Sequence, residues 1–142
     1  MAEGADVLPA IESDPSPEEM HQLDELLHQF NVTQTGINDG RLLAIFLRNT
    51  IGHVVGGIHG WIWGGTCYVA TLYLPESLRH NGTGSGLMAA IEAEARRRGC
   101  DQVVLRTHDF QAPGFYHKLG FSTQAETGYP RGHRSLTLVK QL

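Results

Sequence analysis

A glycine-rich stretch at residues 79–87, Arg-His-Asn-Gly-Thr-Gly-Ser-Gly-Leu, carries the residue types best suited to binding an anion. It lies between a strand-like run and an amphipathic helix pattern. Glycines let the backbone curl tightly, and the first amides of the following helix point outward unpaired, with the helix dipole adding partial positive charge. The stretch is therefore predicted to bind a pyrophosphate group.

Two other nucleotide-binding loops fit this stretch poorly. A Walker A loop ends in Gly-Lys followed by Ser or Thr, and no lysine occurs between Arg79 and Phe115. A dinucleotide fingerprint reads Gly-x-Gly-x-x-Gly, whereas these glycines are evenly spaced, and too little chain remains for a second nucleotide half-domain. A flexible turn that only joins strand to helix is the remaining alternative.

Length and charge limit the classes of protein to which the chain can belong. Its 142 residues suit one compact domain, 1–142. The net charge of −4, with both signs interspersed, gives no electrostatic footprint for nucleic acid or an anionic membrane. No apolar run approaches the roughly 20 residues of a membrane span, and no basic-then-apolar export signal is present. A cytoplasmic protein is predicted.

Cysteines and histidines give no metal or redox pattern. Cys67 and Cys100 lie in or beside apolar runs without a second thiol at a suitable spacing, which predicts buried small side chains. None of the eight histidines belongs to His-Glu-x-x-His or another ligand pair. No metal site is predicted.

The first elements that must position the glycine-rich stretch are a short strand at 7–11 and a helix. Ser16 can cap this helix, Pro17 suits its first position, and apolar residues recur at three- and four-residue steps as far as Phe30. A polar loop is predicted at 31–40. Strands are then predicted at 42–48, 53–63 and 66–74, with a hairpin turn at 49–52.

The second half alternates between helix and strand patterns. A helix at 85–98 is predicted to end at Gly99 and to bury a stripe of Leu87, Ala90, Ile91 and Ala95. A short helix is predicted at 112–119, and strands at 102–107, 121–125 and 135–139. This order predicts an α/β fold with a mixed sheet and helices on both faces.

Three separated segments resemble cofactor-binding parts of the GNAT (general N-acetyltransferase) superfamily. Leu-Tyr-Leu-Pro-Glu at 72–76 resembles its bulged cofactor strand, Arg-x-x-Gly-x-Gly from residue 79 its pyrophosphate loop, and residues 112–121 its Ala-x-x-Phe-Tyr-x-x-Leu-Gly-Phe segment. The first half of the chain matches only in its order of elements. The resemblance implies a GNAT-like mixed, mostly antiparallel central sheet with helices on both faces.

By this resemblance the chain binds acetyl-CoA, and splaying of the strand at 72–74 frees backbone groups for the pantetheine arm. Asp109 stands where the family often has an asparagine; because a carboxylate cannot donate an amide proton, that contact is weakened or taken over by His108 or Gln111. The expected cofactor-binding residues are Leu72, Tyr73, Leu74, Arg79, His80, Asn81, Gly82, Thr83, Gly84, Ser85, Gly86 and Asp109.

The expected chemistry needs an oxyanion donor, an acid and a base. The resemblance implies that the Leu74 amide donates to the oxyanion and that Tyr116 protonates the departing thiolate. A packed tyrosine with a satisfied hydroxyl is the alternative for Tyr116. The base stays open, because the strand at 66–74 has no carboxylate. His59 is a candidate since histidine titrates in the useful range, with Glu76, Tyr68 or a water chain as alternatives, and His59 can also be only a structural histidine of its strand.

Aromatic residues are candidates for the acceptor site. Trp61, Trp63, Tyr68 and Tyr129 can enclose an amine through cation–π contact, or they belong to the core or a dimer surface. Residues 129–133 either close the acceptor site or form only a turn.

The resemblance thus implies an N-acetyltransferase that moves an acetyl group from acetyl-CoA to a primary amine by direct attack in a ternary complex. The alternative is a non-catalytic domain of the same fold that binds acyl-CoA as a sensor or interaction module. The amine acceptor, a small molecule or a peptide, is not identified by the residues, although an acidic isoelectric point fits a cationic one. Exposed strand edges are compatible with a homodimer.

Overall fold

A computed structural model describes residues 7–142; residues 1–6, within the segment predicted to carry no export signal, lie outside the described residues. The chain divides into two compact units, with the boundary between Ile37 and Asn38. The helices and strands, in chain order, are α1 (Pro17–Thr35), β1 (Arg41–Arg48), β2 (Val54–Trp63), β3 (Thr66–Tyr73), α2 (Thr83–Arg97), β4 (Gln102–His108), α3 (Pro113–Lys118), β5 (Ser122–Gly128) and β6 (Arg134–Gln141). No described helix is both long and apolar enough to cross a membrane.

Helix α1 of the first unit begins where the sequence predicts. The Glu19 amide donates to Ser16 Oγ at 3.1 Å, and Pro17 is the first helical residue. The predicted end before residue 31 is wrong, because the helix continues to Thr35. The hydroxyls of Thr33 and Thr35 donate to carbonyls one turn earlier, so these polar residues are accommodated within the helix.

The predicted strand at 7–11 does not form. These residues have no regular secondary structure, and Ile11 is 99% exposed. A short apolar run becomes a strand only when another strand supplies its hydrogen-bond partners. The prediction rested on composition and had no candidate partner for this run.

The second unit is a six-stranded sheet in the order β1-β2-β3-β4-β6-β5. Only β3 and β4 pair in parallel; the other neighbours are antiparallel. The predicted mixed, mostly antiparallel sheet is confirmed. The turn at 49–52 is also confirmed, since Asn49 Oδ1 accepts from the amides of Ile51 and His53 at 3.1 and 2.9 Å.

Helix α2 covers one face of the sheet and completes the core. Leu87, Ile91 and Ala95 are buried, as predicted. Ala90 is instead exposed, while Met88 is fully buried and Glu92 is 5% exposed. The buried face is made of two rows with four-residue spacing, 87-91-95 and 84-88-92, and position 90 belongs to neither row.

The burial of Glu92 is compensated by an ion pair. Lys140 Nζ on β6 lies 2.7 Å from Glu92 Oε1, and Arg96 Nη2 lies 3.8 Å from the same oxygen. A buried carboxylate is tolerated when a cation stays close to it. This contact ties α2 to β6.

The end of α2 and both cysteines agree with the sequence predictions. Gly99 has φ +83°, and the Cys100 amide donates to the Ala95 carbonyl at 2.9 Å, which closes the helix. Cys67 and Cys100 are buried free thiols. Burial raises the pKa of Cys67 to about 11, so this thiol is unreactive at neutral pH.

Candidate active site

A wedge-shaped gap opens between β3 and β4. The two strands pair from Thr66–Gln102 to Val69–Leu105, and no pair of theirs follows among the described residues. Both strands nevertheless continue, β3 to Tyr73 and β4 to His108. Beyond Val69 the β4-facing edge of β3 therefore has no strand beside it, and its backbone groups face the gap.

A bulge bends β3 where the gap begins. In its pairing with β2, His59 faces Thr71 and Gly60 faces Val69, so Ala70 is an extra residue. The opposite position must be glycine, because a Cβ on Gly60 would lie 1.8 Å from the Tyr68 carbonyl oxygen. The bulge lies at residue 70, just before the 72–76 segment that resembles a bulged cofactor strand.

The chain after β3 folds back through a short 3-10 turn, Glu76–Leu78. Arg79 Nε donates to the Leu74 carbonyl at 2.8 Å, and the guanidinium carbon lies 5.5 Å from the centre of the Tyr73 ring. The side chains of Leu72 and Leu74 pack against the core. Arg79 is thus held at the end of the gap, with its two terminal nitrogens still able to donate.

The start of α2 presents unpaired main-chain amides. His80 and Gly82 have φ values of +62° and +88°, which turn the chain sharply into the helix. Asn81 Oδ1 accepts from both the amide and the hydroxyl of Thr83, at 3.2 and 2.7 Å. The amides of Gly84 and Ser85 have no hydrogen-bond partner within residues 7–142. This arrangement of donors and dipole can hold an anion.

Gly84 differs from the other glycines of this loop because it is a packing residue. A Cβ there would lie 3.2 Å from Phe115 Cζ and 3.3 Å from Leu74 Cδ1. At Gly86 no atom of residues 7–142 would lie within 4 Å of an added Cβ. The start of α2 thus fits directly against the end of β3 and against α3.

Tyr116 on α3 is 8% exposed. Its ring packs edge-to-face on Phe115 and Phe121, with centroid distances of 5.0 and 5.9 Å. Burial raises its pKa above the usual value of 10.0, so the phenol is protonated at neutral pH. Its hydroxyl makes no hydrogen bond to any described residue, and it can therefore donate to a bound group.

A cavity of about 580 Å³ lies on the sheet at the point where β3 and β4 separate. Its described lining residues are Trp61, Tyr68, Val69, Ala70, Val104, Leu105, Arg106, His108, Gln111, Tyr129, Ser135 and Thr137. The rings of Trp61 and Tyr68 stack at 5.1 Å with an interplanar angle of 21°. Three of the four predicted acceptor-site aromatics thus line one cavity, and Trp63 is not among its lining residues.

The hairpin loop at 129–133 borders this cavity. The Tyr129 amide donates to the His133 carbonyl at 2.7 Å, and the Tyr129 ring meets His108 edge-on at 4.7 Å. Asp109 holds the loop: its carboxylate contacts His133 Nδ1 and accepts from the Arg134 amide, both at 3.1 Å. The carboxylate of Asp109 is thus used to fix the hairpin.

The two candidate histidines occupy different places. His59 is exposed and lies on the same face of β2 as Trp61, but it is not among the cavity-lining residues. His108 lines the cavity, stacks on Phe110 at 5.1 Å, and has a buried Nδ1 without a partner in the described chain.

Sequence reasoning missed Arg106 and did not place His108 at the acceptor cavity. Along β4 the buried residues Val103, Leu105 and Thr107 alternate with more exposed ones, and this two-residue period assigns 104, 106 and 108 to the cavity face. The signal was present in the sequence, but its meaning depended on which strands flank β4.

The known proteins that this chain resembles in sequence and in structure are described as acetyltransferases. A sequence profile of the acetyltransferase (GNAT) family matches residues 6–121. An acetyltransferase of Agrobacterium fabrum is 33% identical over 112 residues, 79% of this chain and 82% of that protein. The blasticidin-S acetyltransferase of Streptomyces morookaense is 40% identical over 117 residues, 77% of this chain and 84% of that protein. A crystal structure described as an acetyltransferase from Agrobacterium tumefaciens has a TM-score of 0.84 at 29% identity, covering 96% of this chain and all (100%) of that one.

Proposed function

Because the chain belongs to the acetyltransferase (GNAT) family, we propose that it transfers an acetyl group from acetyl-CoA to a primary amine, by direct attack in a ternary complex. The observation that carries the proposal is the gap between β3 and β4, which has unpaired helix-start amides at one end and the cavity beside it. We also propose that 1–142 acts as one domain, since the family match runs through both units.

The residues at the gap fit acetyl-CoA. The free amides of Gly84 and Ser85, with the guanidinium of Arg79, suit a pyrophosphate, and the turn from His80 to Thr83 fixes their direction. The unpaired edge of Leu72 to Leu74 suits the amide groups of a pantetheine arm. When bound, the thioester supplies the activated acetyl group. Because Asp109 is engaged with the hairpin, His108 or Gln111 is better placed than its carboxylate to contact the arm.

Two groups would assist the transfer, one at the oxyanion and one at the departing thiolate. The Leu74 amide would donate to the oxyanion that forms when an amine attacks the acetyl carbon. Tyr116 would give its proton to the departing thiolate, a role supported by its buried, protonated phenol and its unpartnered hydroxyl.

The attacking ammonium must also lose a proton. No carboxylate lines the cavity in the described part of the chain, so a side-chain carboxylate base is not available there. We propose that His59 accepts the proton through water, since its exposed ring lies on the cavity face of β2. His108 is the competing candidate because it lines the cavity directly.

A small molecule is the better-supported class of acceptor. A cavity of about 580 Å³ that is lined in part by the rings of Trp61, Tyr68 and Tyr129 falls in the size range of small-molecule sites. The relative that is 40% identical is named for blasticidin S, a small-molecule acceptor. The sheet edges at β1 and β5 also allow the proposed homodimer, which light scattering would detect.

The experiment that tests the function is an acetyl-CoA titration by calorimetry, followed on the same sample by thiol release against a panel of primary amines. Binding with amine-dependent release of CoA would establish the transferase. Binding without release would favour the acyl-CoA sensor, the second candidate, because the described residues that line the cavity include no carboxylate. A failure to bind acetyl-CoA would refute both.

A further inference from the structure

Among the described residues that line the cavity, the side chain with a fixed charge is the cation Arg106. No Asp or Glu is among these described lining residues. A buried or half-buried charge on a ligand requires an opposite charge or hydrogen-bond partners. A cationic group on an acceptor would therefore find no carboxylate in the described lining, whereas an anionic group would find an opposite charge in Arg106.

Arg106 is held in place by the wall of the cavity. Its Nη2 donates to Ser135 Oγ at 3.1 Å, and Ser135 is only 4% exposed. That bond uses one of the five N–H donors of the guanidinium, and the others remain available for a bidentate contact. A single guanidinium balances the single charge of a carboxylate; a dianionic phosphate would need further cationic partners.

The anion bound at Arg106 would not be the pyrophosphate. Leu105, the neighbour of Arg106 on β4, packs in the same buried cluster as Leu87 and Ile91 of α2, and side chains alternate between the faces of a strand. The loop with the unpaired amides leads into α2, on the opposite face from Arg106. The two candidate anion sites are therefore separated by the sheet.

A flat apolar surface lies in the same cavity as Arg106. The stacked rings of Trp61 and Tyr68 form one wall, and Trp61 is 42% exposed in spite of its size. A planar ring on a ligand can stack on such a wall. Building on the proposed acetyltransferase function, we propose that the acceptor is a primary amine that also carries an aromatic ring and a carboxylate, with Arg106 as its carboxylate-binding residue.

The test separates the two ends of such a molecule. Indole-3-acetate has the ring and the carboxylate without an amine, and tryptamine has the ring and the amine without a carboxylate. With the protein saturated with CoA, calorimetry is expected to show that indole-3-acetate binds at least about tenfold more tightly than tryptamine. Arg106→Gln should weaken that binding about tenfold or more, while Arg106→Lys, which keeps the charge, should weaken it less. Arg41→Gln, an exposed arginine on β1, is the matched control and should have no effect.

Each other outcome contradicts the inference. Tryptamine binding as tightly as indole-3-acetate, an unchanged affinity in Arg106→Gln, or no binding of indole-3-acetate would each remove Arg106 from this role. Acetyl-CoA binding and thiol release with simple amines, measured on the same protein, distinguish this failure from that of the proposed function. If both persist, only the acceptor assignment is wrong; if acetyl-CoA does not bind, the function itself is wrong.

Discussion

The glycine-rich loop and the cavity, the two proposed binding regions, differ in the kind of groups that they present. The loop uses main-chain amides whose direction is fixed by two residues with positive φ and by the Asn81 side chain, all within a few consecutive residues. The cavity uses side chains from β2, β3, β4, β6 and the connecting loops. A change in the loop should therefore impair binding of any acyl-CoA, whereas a change in the cavity should alter which acceptor is chosen.

The largest expected effect breaks the loop. Gly84→Val should weaken acetyl-CoA binding at least about 100-fold, because even a Cβ at this position would lie 3.2 Å from Phe115 and 3.3 Å from Leu74. Gly128→Ala on β5, outside the loop, is the control: the added methyl group meets no described atom within 4 Å, and acetyl-CoA affinity should be preserved. Calorimetry and thermal melts of both variants check this. Unchanged affinity in Gly84→Val would remove the anion site from the loop.

The second prediction concerns the chemical step at the gap. Tyr116→Phe should lower kcat about 100-fold with acetyl-CoA affinity within about twofold of the wild type. Because burial raises the pKa of Tyr116 above 10.0, the acid form persists to that pH, and the wild-type rate should fall only above it. That alkaline loss should be absent in the variant. A rate equal to the wild type would leave Tyr116 as a packing residue.

The third prediction tests whether the core can be weakened without altering either region. Lys140→Met leaves the carboxylate of Glu92 buried without its nearest cation and should destabilise the fold by about 3 kcal/mol. Acetyl-CoA affinity and acceptor preference should stay unchanged at temperatures where the protein is folded. Adding Glu92→Gln should restore most of the stability, which denaturant titration would measure. Equal destabilisation in the double variant would mean that the ion pair is not the cause.

The smallest effect decides between the two histidines. His59→Gln should lower kcat/KM about tenfold if His59 is the base, while His108→Gln should then alter mainly KM, because His108 lines the cavity. Steady-state kinetics of both variants with the same acceptor measure the two constants. A loss of kcat in His108→Gln with an unchanged kcat in His59→Gln would transfer the role to His108.

The sequence predicts those features that neighbouring residues determine. Ser16 and Pro17 start α1, Asn49 closes the first hairpin, and Gly99 ends α2, each through contacts within a few residues. Two features that it misses depend on distant partners. Residues 7–11 have no strand beside them in the described chain, and the buried carboxylate of Glu92 is paired by Lys140, far away in the sequence.

The candidate site likewise has one part that a continuous segment of sequence predicts and one part that depends on the pairing of distant strands. The loop at 79–87 is one continuous segment, so its anion-binding character is visible in the residues themselves. Arg106 becomes a candidate only when β6 brings Ser135 beside it and the pairing of β3 with β4 stops at Val69 and Leu105. Single-sequence reasoning has no access to that register.

The extra residue at Ala70 shifts the alternation of buried and exposed side chains along β3 by one position. Upstream, the odd-numbered Cys67 and Val69 are buried in the core; downstream, the even-numbered Leu72 packs against it, while Tyr73 is 54% exposed. Deleting Ala70 would remove the bulge, and regular alternation from Val69 would still direct Leu72 inward and Tyr73 outward. A further inserted residue would instead exchange the buried and exposed side chains beyond it, so the strand that borders the gap should tolerate a deletion at this position better than an insertion.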